Sequence, residues 1–237
     1  MKSHTKPLRR KFMENQLLAT EKQTTKKTNV EKEENTIEWI TLFRRNWHIY
    51  AEMILEIKLR PFQKVFLYLV GISDVFMAIC SRGLSKTFLG GLAAIIKMLL
   101  YPYSEVIVTA STISQANITV ESKIRDELIK KLSPYLLYLY DKEYLIINKA
   151  DDGYKITCTL NGSTLRVLPP LESSKGHRAN FIIYDECRLL KKNMIDQVFE
   201  KMAHPRQAKY LDNPIYSENP RWLEETKSIY IDFVSSS

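Results

Sequence analysis

A lysine followed by a threonine, Lys86-Thr87, lies between an apolar run and a helical pattern. Val75 to Cys80 has the length of a buried strand, and the apolar residues from Phe88 to Leu100 recur at helical spacing. In the pattern GxxxxGK[ST], backbone N–H groups wrap phosphates, the lysine reaches the β- and γ-phosphates, and the hydroxyl coordinates Mg²⁺. This junction therefore predicts a phosphate-binding loop, although for an isolated Ser-Lys-Thr the start of a surface helix would be the favoured interpretation.

The loop lacks both glycines of that pattern, because Cys80 and Ser85 occupy their positions. Only Gly83 gives this loop the conformational freedom of glycine, in a chain that has 7 glycines among 237 residues. The lysine, the hydroxyl, the preceding strand and the following helix remain. We expect the nucleotide to contact Ser81, Arg82, Gly83, Leu84, Ser85, Lys86 and Thr87.

Two adjacent carboxylates, Asp185 and Glu186, follow the apolar run Phe181 to Tyr184. An aspartate at the end of a strand can hold Mg²⁺, and an adjacent glutamate can polarise the attacking water, as in the Walker B motif of P-loop ATPases. A lone Asp-Glu pair is more often an ordinary loop start. Its occurrence after the lysine loop, in the right order and on the right element, favours ATP hydrolysis with Thr87 and Asp185 as magnesium ligands and Glu186 as the catalytic base.

Gln63 follows Arg60-Pro61-Phe62 shortly before the first predicted strand. Its amide presents both a donor and an acceptor and can read the edge of adenine. A surface glutamine on an amphipathic helix is an equally good interpretation of this residue alone.

Composition sets the class of protein. The chain is 45% hydrophobic and 26% charged, which excludes wholesale disorder. A net charge of +8 favours a polyanionic partner such as nucleic acid or an acidic membrane surface. The cysteines Cys80, Cys158 and Cys187 have no spacing typical of a disulfide framework or a zinc site, which fits a reducing compartment. The apolar runs are too short for a membrane span, so no membrane partner is expected.

The elements that position these residues alternate between strand and helix. Strands are predicted at Val75 to Cys80, Glu105 to Ala110, Phe181 to Tyr184 and Ser228 to Val234, with helices from Phe88 and over Ser114 to Lys131 and Met194 to Met202. Turn signals at Asp151-Asp152-Gly153 and Asn161-Gly162 join three further strand candidates into an antiparallel addition. The pattern predicts an α/β fold with a mainly parallel sheet.

The chain divides into two regions. Residues 1–36 form a basic polar segment that we expect to be flexible, and residues 37–237 form one nucleotide-binding domain. Because the last predicted strand falls at the end of the chain, we expect the domain to be truncated at its C-terminal end.

Several segments together resemble the ATPase domain of the large terminase subunit of tailed bacteriophages, from about Trp39 onward. The segments that carry the resemblance are Arg60 to Lys64, Ser81 to Thr87, Tyr101-Pro102, Val106 to Ser111, Gln115-Ala116, Gly176 to Asn180 and Ile183 to Glu186. The resemblance implies a P-loop NTPase fold of the RecA/ASCE type, a three-layer sandwich around a mainly parallel central sheet. Arg82 matches an arginine that the family carries in its Walker A loop, whereas Ser85 departs from the family pattern.

The resemblance also implies an activity: an ATP-hydrolysing motor, using ATP with Mg²⁺, that drives double-stranded DNA into a procapsid. The implied partners are copies of the chain in a ring, the portal protein and the small terminase subunit. The motor would work in the host cytoplasm at the procapsid portal and would not stay in the virion. No nuclease residues are assigned.

Further roles come only from the resemblance. Arg82 would stabilise charge during phosphoryl transfer in its own subunit, and Lys175 or Arg178 would act on the neighbouring subunit, although both also fit solvent-facing loop charges. Ser235, Ser236 and Ser237 occupy the place of a coupling motif but equally fit a frayed end.

Two other interpretations remain open. Ser85 and the early end of the domain fit a remnant that binds nucleotide or DNA without turnover. The order of Gln63, lysine loop and paired carboxylates also occurs in helicase-like, DNA-dependent ATPases.

Overall fold

A computed structural model describes residues 26–81, 83–150, 153–169, 174, 177–186, 189–190 and 229–235. The helices are α1 (Lys26–Arg45), α2 (Trp47–Met53), α3 (Pro61–Ile72), α4 (Lys86–Leu100), α5 (Ile113–Ile118), a π-helical segment (Thr119–Leu132) and α6 (Pro134–Asp141). The strands are β1 (Val75–Cys80), β2 (Glu105–Ala110), β3 (Leu145–Ala150), β4 (Gly153–Cys158), β5 (Thr164–Val167), β6 (Phe181–Asp185) and β7 (Ile229–Ser235).

The strands form one seven-stranded sheet in the order β1-β7-β6-β2-β5-β4-β3. The first five strands in this order, β1, β7, β6, β2 and β5, are parallel to their neighbours. Strand β4 is antiparallel to β5, and β3 is antiparallel to β4. The predicted mainly parallel sheet with an antiparallel addition is therefore confirmed. Because β1 and β6 run in the same direction, Cys80 and Asp185 end at the same edge of the sheet.

The central strands are buried on both faces. Val106, Val108, Phe181 and Ile183 belong to the main hydrophobic core. Ile182 and Tyr184, which alternate with the core residues of β6, are also buried. Burial of both faces explains why β2 and β6 are continuous apolar runs in the sequence rather than alternating ones.

Helix α4 lies in the middle of the core and packs against β2, β5 and β6. Nearly every residue from Phe88 to Leu100 is buried. A Cβ atom added to Gly91 would lie 3.1 Å from Ile124 Cγ1, so glycine permits the close approach of the π-helical segment. This packing fixes the direction in which the N-terminus of α4 points.

The predicted strands agree with the structure to within a few residues. Among the helices, the sequence analysis did not predict α6. Its signals were present: Pro134 occupies the first turn, and the Ser133 hydroxyl accepts a hydrogen bond from Leu136 N–H. Helix α1 begins at Lys26, within the segment expected to be flexible. The predicted helix at Met194 to Met202 lies outside the described residues.

Candidate functional site

The loop between β1 and α4 lies at the carboxyl edge of the sheet. Gly83 has φ of +86°, and nothing lies within 4 Å of a Cβ placed on it. Ser85 has φ of +56° and ψ of +31°, a left-handed conformation that glycine adopts without steric cost. The chain therefore keeps the backbone conformation of a glycine at Ser85, although the residue is serine. Arg82 lies outside the described residues.

The N-terminus of α4 is electrostatically suited to an anion. Its first turn holds no acidic residue, and the Ser85 side chain makes no capping hydrogen bond. Lys86 is the first residue of the helix. The free N–H groups and the positive end of the helix dipole thus face the exposed loop, which is the usual arrangement for binding phosphate.

The Lys86 side chain closes the base of the loop. Lys86 Nζ donates a hydrogen bond of 3.0 Å to the carbonyl oxygen of Cys80, the last residue of β1. This bond spans the loop residues and brings the ammonium group to the carboxyl edge of the sheet. The serine, leucine and glycine residues of the loop are exposed, so the loop is accessible to a ligand.

Thr87 and Asp185 meet across the site. Thr87 Oγ1 donates a hydrogen bond of 3.1 Å to Asp185 Oδ2, which joins the start of α4 to the end of β6. Burial raises the pKa of Asp185, while the hydrogen bond from Thr87 opposes that rise. A hydroxyl and a carboxylate are oxygen ligands of the kind that Mg²⁺ prefers, and Mg²⁺ usually completes its shell with waters and substrate phosphates. The two residues fit a magnesium ion on this ground.

Glu186 follows Asp185 in a left-handed conformation, with φ of +57°. For a glutamate this conformation costs about 1 kcal/mol or more, and such strain is often found at functional sites. It turns the chain sharply at the end of β6, so Glu186 is placed at the same edge as Asp185.

Gln63 has a structural role that the sequence analysis missed. Its Oε1 accepts a hydrogen bond of 2.8 Å from the backbone N–H of Arg60 and so caps the start of α3. The side chain is buried. The amide oxygen is therefore engaged in the cap, and the amide nitrogen is the group that can act as a donor to a nucleotide.

The end of β2 adds polar residues that were not predicted as part of the site. Ala110 is the register partner of Asp185, so Ser111 and Thr112 follow at the same edge of the sheet. Ser111 Oγ donates a hydrogen bond of 2.5 Å to Gln115 Oε1. Hydroxyl residues directly after a buried parallel strand were the signal that could have revealed them.

The other predicted residues are placed in different regions. Ser235 ends β7 as the register partner of Cys80, next to the start of the loop, whereas Ser236 and Ser237 lie outside the described residues. Arg178 precedes β6 and is exposed at the amino edge of the sheet, opposite Asp185. It lines a cleft of about 200 Å³ there. Arg178 is thus separated from its own loop by the length of β6. Lys175 lies outside the described residues.

The described residues contain neither a cluster of metal-binding side chains nor a helix that could span a membrane. No group of three or more His, Cys, Asp or Glu side chains there forms a metal-binding cluster. Among the same residues, no helix has both the length and the apolarity needed to cross a membrane.

The fold is similar to solved structures of bacteriophage proteins. The HK97 bacteriophage large terminase matches with a TM-score of 0.52 and 15% sequence identity, over 75% of this chain and 33% of that chain. The Thermus phage P74-26 large terminase ATPase domain matches with a TM-score of 0.50 and 12% identity, over 76% of this chain and 67% of that chain. A mutant of the same domain matches with a TM-score of 0.52 and 12% identity, over 78% of this chain and 69% of that chain.

The chain therefore shares the fold of large terminase ATPase domains, and it spans about a third of the length of the HK97 protein. No protein-family model and no curated protein matches the sequence.

Proposed function

We propose that this chain is the ATP-hydrolysing motor domain of a viral DNA-packaging terminase. The observation that carries the proposal is the hydrogen bond between Thr87 and Asp185 at the uncapped N-terminus of α4. It joins the two halves of the predicted site, which are far apart in sequence, at the edge of the sheet where the exposed loop lies. The shared fold supports the same function.

In this proposal the loop and the first turn of α4 bind the phosphates of ATP. Lys86 exchanges its hydrogen bond with the Cys80 carbonyl for the β- and γ-phosphates, and the backbone N–H groups of the loop surround them. Gln63 contacts adenine through its amide nitrogen. Thr87 and Asp185 would hold Mg²⁺, which when bound neutralises phosphate charge.

Glu186 is proposed as the general base. It orients a water for attack on the γ-phosphorus and accepts its proton as the bond to the β-phosphate oxygen breaks, giving ADP and inorganic phosphate. Arg82 is proposed to stabilise the charge that develops on the phosphoryl group.

The function is tested by measuring Mg²⁺-dependent ATP hydrolysis and ATP binding in two variants. Lys86→Ala should lower both binding and hydrolysis, and Glu186→Gln should lower hydrolysis about 100-fold or more while ATP still binds. The matched controls are Lys131→Ala, at an exposed lysine, and Glu143→Gln, at an exposed glutamate that also has a positive φ of 58°. Unchanged hydrolysis in Glu186→Gln would refute the assignment.

The partners are part of the same proposal: double-stranded DNA, copies of the chain in a ring, a portal protein and a small terminase subunit, in the host cytoplasm. The position of Arg178 supports a role in a neighbouring subunit, because it lies at the opposite edge of the sheet from its own loop. The position of Ser235 beside Cys80 supports coupling between the loop and β7.

A second candidate function is nucleotide binding without turnover, and Ser85 is the observation that favours it. A serine held in the conformation of a glycine adds side-chain atoms where the backbone should approach phosphate closely. ATP binding by the wild type without hydrolysis, with DNA present, would select this function. Strand separation driven by ATP would instead select a helicase-like ATPase.

A further inference from the structure

Two positive charges lie directly opposite each other on neighbouring antiparallel strands. Lys155 of β4 and Arg166 of β5 are register partners. The residues on either side of them along the strands, Tyr154, Ile156 and Leu165 among them, belong to the hydrophobic core. Lys155 and Arg166 therefore both project from the other face of the sheet, and like charges in this position destabilise the sheet.

No ion pair joins Lys155 or Arg166 to an acidic side chain within the part of the chain that the structure describes. The ion pairs found there join other residues. Glu105 of β2 is the register partner of Thr164 and lines the cleft beside Arg166. Both cations are half-buried.

The surrounding positions on this face offer hydrogen bonds. Asn148 of β3 is the register partner of Lys155, and Thr157 of β4 is the register partner of Thr164 of β5. We define the cationic face by these positions together with the two cations: Asn148, Lys155, Thr157, Thr164 and Arg166. It extends across three strands, about 10 Å from β3 to β5.

We propose that the cationic face binds the phosphodiester backbone of double-stranded DNA. A single phosphate ion is normally held by donors that converge on one point, whereas these donors are spread along a row. A row of cations, hydroxyls and an amide instead suits successive phosphates of a polymer, contacted without reading bases. The choice of DNA rests on the proposed function, and the face supplies a site for that partner.

Binding of DNA would also offset the electrostatic repulsion between Lys155 and Arg166. Phosphates placed over the pair would neutralise it, so DNA would stabilise an arrangement that is unfavourable in the free protein. Arg178 borders Arg166 in the same cleft, but it is left unchanged in the experiment because it is also the candidate cation for the neighbouring subunit.

The experiment measures binding of the full chain to a short fluorescent duplex DNA by anisotropy, in about 50 to 200 mM salt. Lys155→Gln/Arg166→Gln should weaken binding at the lowest salt roughly ten-fold or more. The slope of log affinity against log salt should become shallower by about 1.8, or about 0.9 for each lost phosphate contact. The control is Lys131→Gln/Lys142→Gln, which removes the same charge from two exposed lysines, one in the π-helical segment and one directly after α6.

Two further readouts separate binding from folding and from catalysis. The variant should unfold at the same or a higher temperature than the wild type, because the opposed charges are gone. Its ATP hydrolysis without DNA should match that of the wild type, since neither residue belongs to the nucleotide site. If the wild type does not hydrolyse ATP, the DNA-binding measurement therefore still tests the cationic face.

The proposal is overturned if the variant keeps the affinity and salt slope of the wild type, or if the control loses as much affinity as the variant. It is equally overturned if the wild type does not bind duplex DNA at the lowest salt.

Discussion

At Ser85 the backbone conformation and the residue type disagree. The left-handed conformation, with φ of +56°, costs an L-residue about 1 kcal/mol or more, and the site retains it without glycine. The hydrogen bond from Lys86 to Cys80 spans this loop and helps to hold it. The conformation is therefore imposed by the strand, the helix and the lysine around the loop.

Substitutions at Ser85 should change stability in opposite directions. Ser85→Gly should raise the free energy of unfolding by about 0.5 kcal/mol, since relief of strain exceeds the added chain entropy. Ser85→Val should lower it by roughly 1–2 kcal/mol, because a β-branched residue is a poor fit to positive φ. Chemical denaturation measures both.

The same substitutions at Ser114, an exposed residue of helix α5, serve as the control. There Ser→Gly should destabilise the protein, because the backbone is helical. A destabilising Ser85→Gly would show that the left-handed conformation is not what the loop adopts in solution.

At the scale of the element, the two ends of α4 differ in electrostatic character. The N-terminus has no capping side chain, whereas Arg44 Nε and Nη2 donate hydrogen bonds of 2.9 and 2.7 Å to the carbonyl of Leu100. Lys97 lies in the last turn, with Nζ 3.7 Å from the ring centre of Tyr101. Cations at the C-terminus complement the helix dipole, and the N-terminus stays available for phosphate.

Burial of Lys97 gives this element a pH dependence. Burial, together with the nearby charge of Arg44, lowers the pKa of Lys97 to about 7. Unfolded lysine has a pKa near 10.4, so between these values the unfolded chain binds more protons than the folded one. Stability from this group therefore rises with pH from about 7 to 10 and falls as the pH drops toward 7.

Lys97→Met should remove this dependence. Relative to the wild type, the slope of unfolding free energy against pH should decrease by up to about 1.4 kcal/mol per pH unit above pH 7. Denaturant titrations at several pH values measure it, with Lys131→Met as the exposed control. Parallel wild-type and Lys97→Met profiles would show that Lys97 stays charged in the folded protein.

At the scale of the whole molecule, the sheet has two unlike ends. Beyond β5 the sheet continues into the hairpin of β3 and β4, which carries part of the cationic face. At the other end β1 is the edge strand of the described sheet, and Val75, Met77 and Ile79 are 67%, 58% and 69% exposed. An apolar edge strand of this kind promotes pairing between molecules.

Met77→Lys should therefore lower concentration-dependent self-association without changing the unfolding temperature. Light scattering over a range of protein concentrations measures the effect. Leu137→Lys is the matched control, since it places a lysine at an exposed leucine of α6, away from any strand edge. Equal effects of the two substitutions would mean that the edge of β1 is not the associating surface.

Local sequence determined the elements and the types of side chain at the site. The apolar runs at β2 and β6 predicted the strands because burial of both faces requires continuous apolar residues. The run at β1 predicted a strand by its length and composition, although one of its faces is exposed. Turn residues predicted the hairpin between β3 and β4 because they favour the backbone angles that tight turns need. Lys86, Thr87, Asp185 and Glu186 were identified because phosphate and magnesium chemistry restricts the residue types that suit them.

Only the tertiary structure decided which of these groups meet. Thr87 is brought to Asp185 by the parallel order of β1, β7 and β6, and that order depends on packing between segments distant in sequence. The same holds for Lys155 opposite Arg166, since register between strands is not written in either strand alone. The buried cap made by Gln63 and the left-handed conformation of Ser85 likewise arise from their surroundings, which a pattern of residue types does not contain.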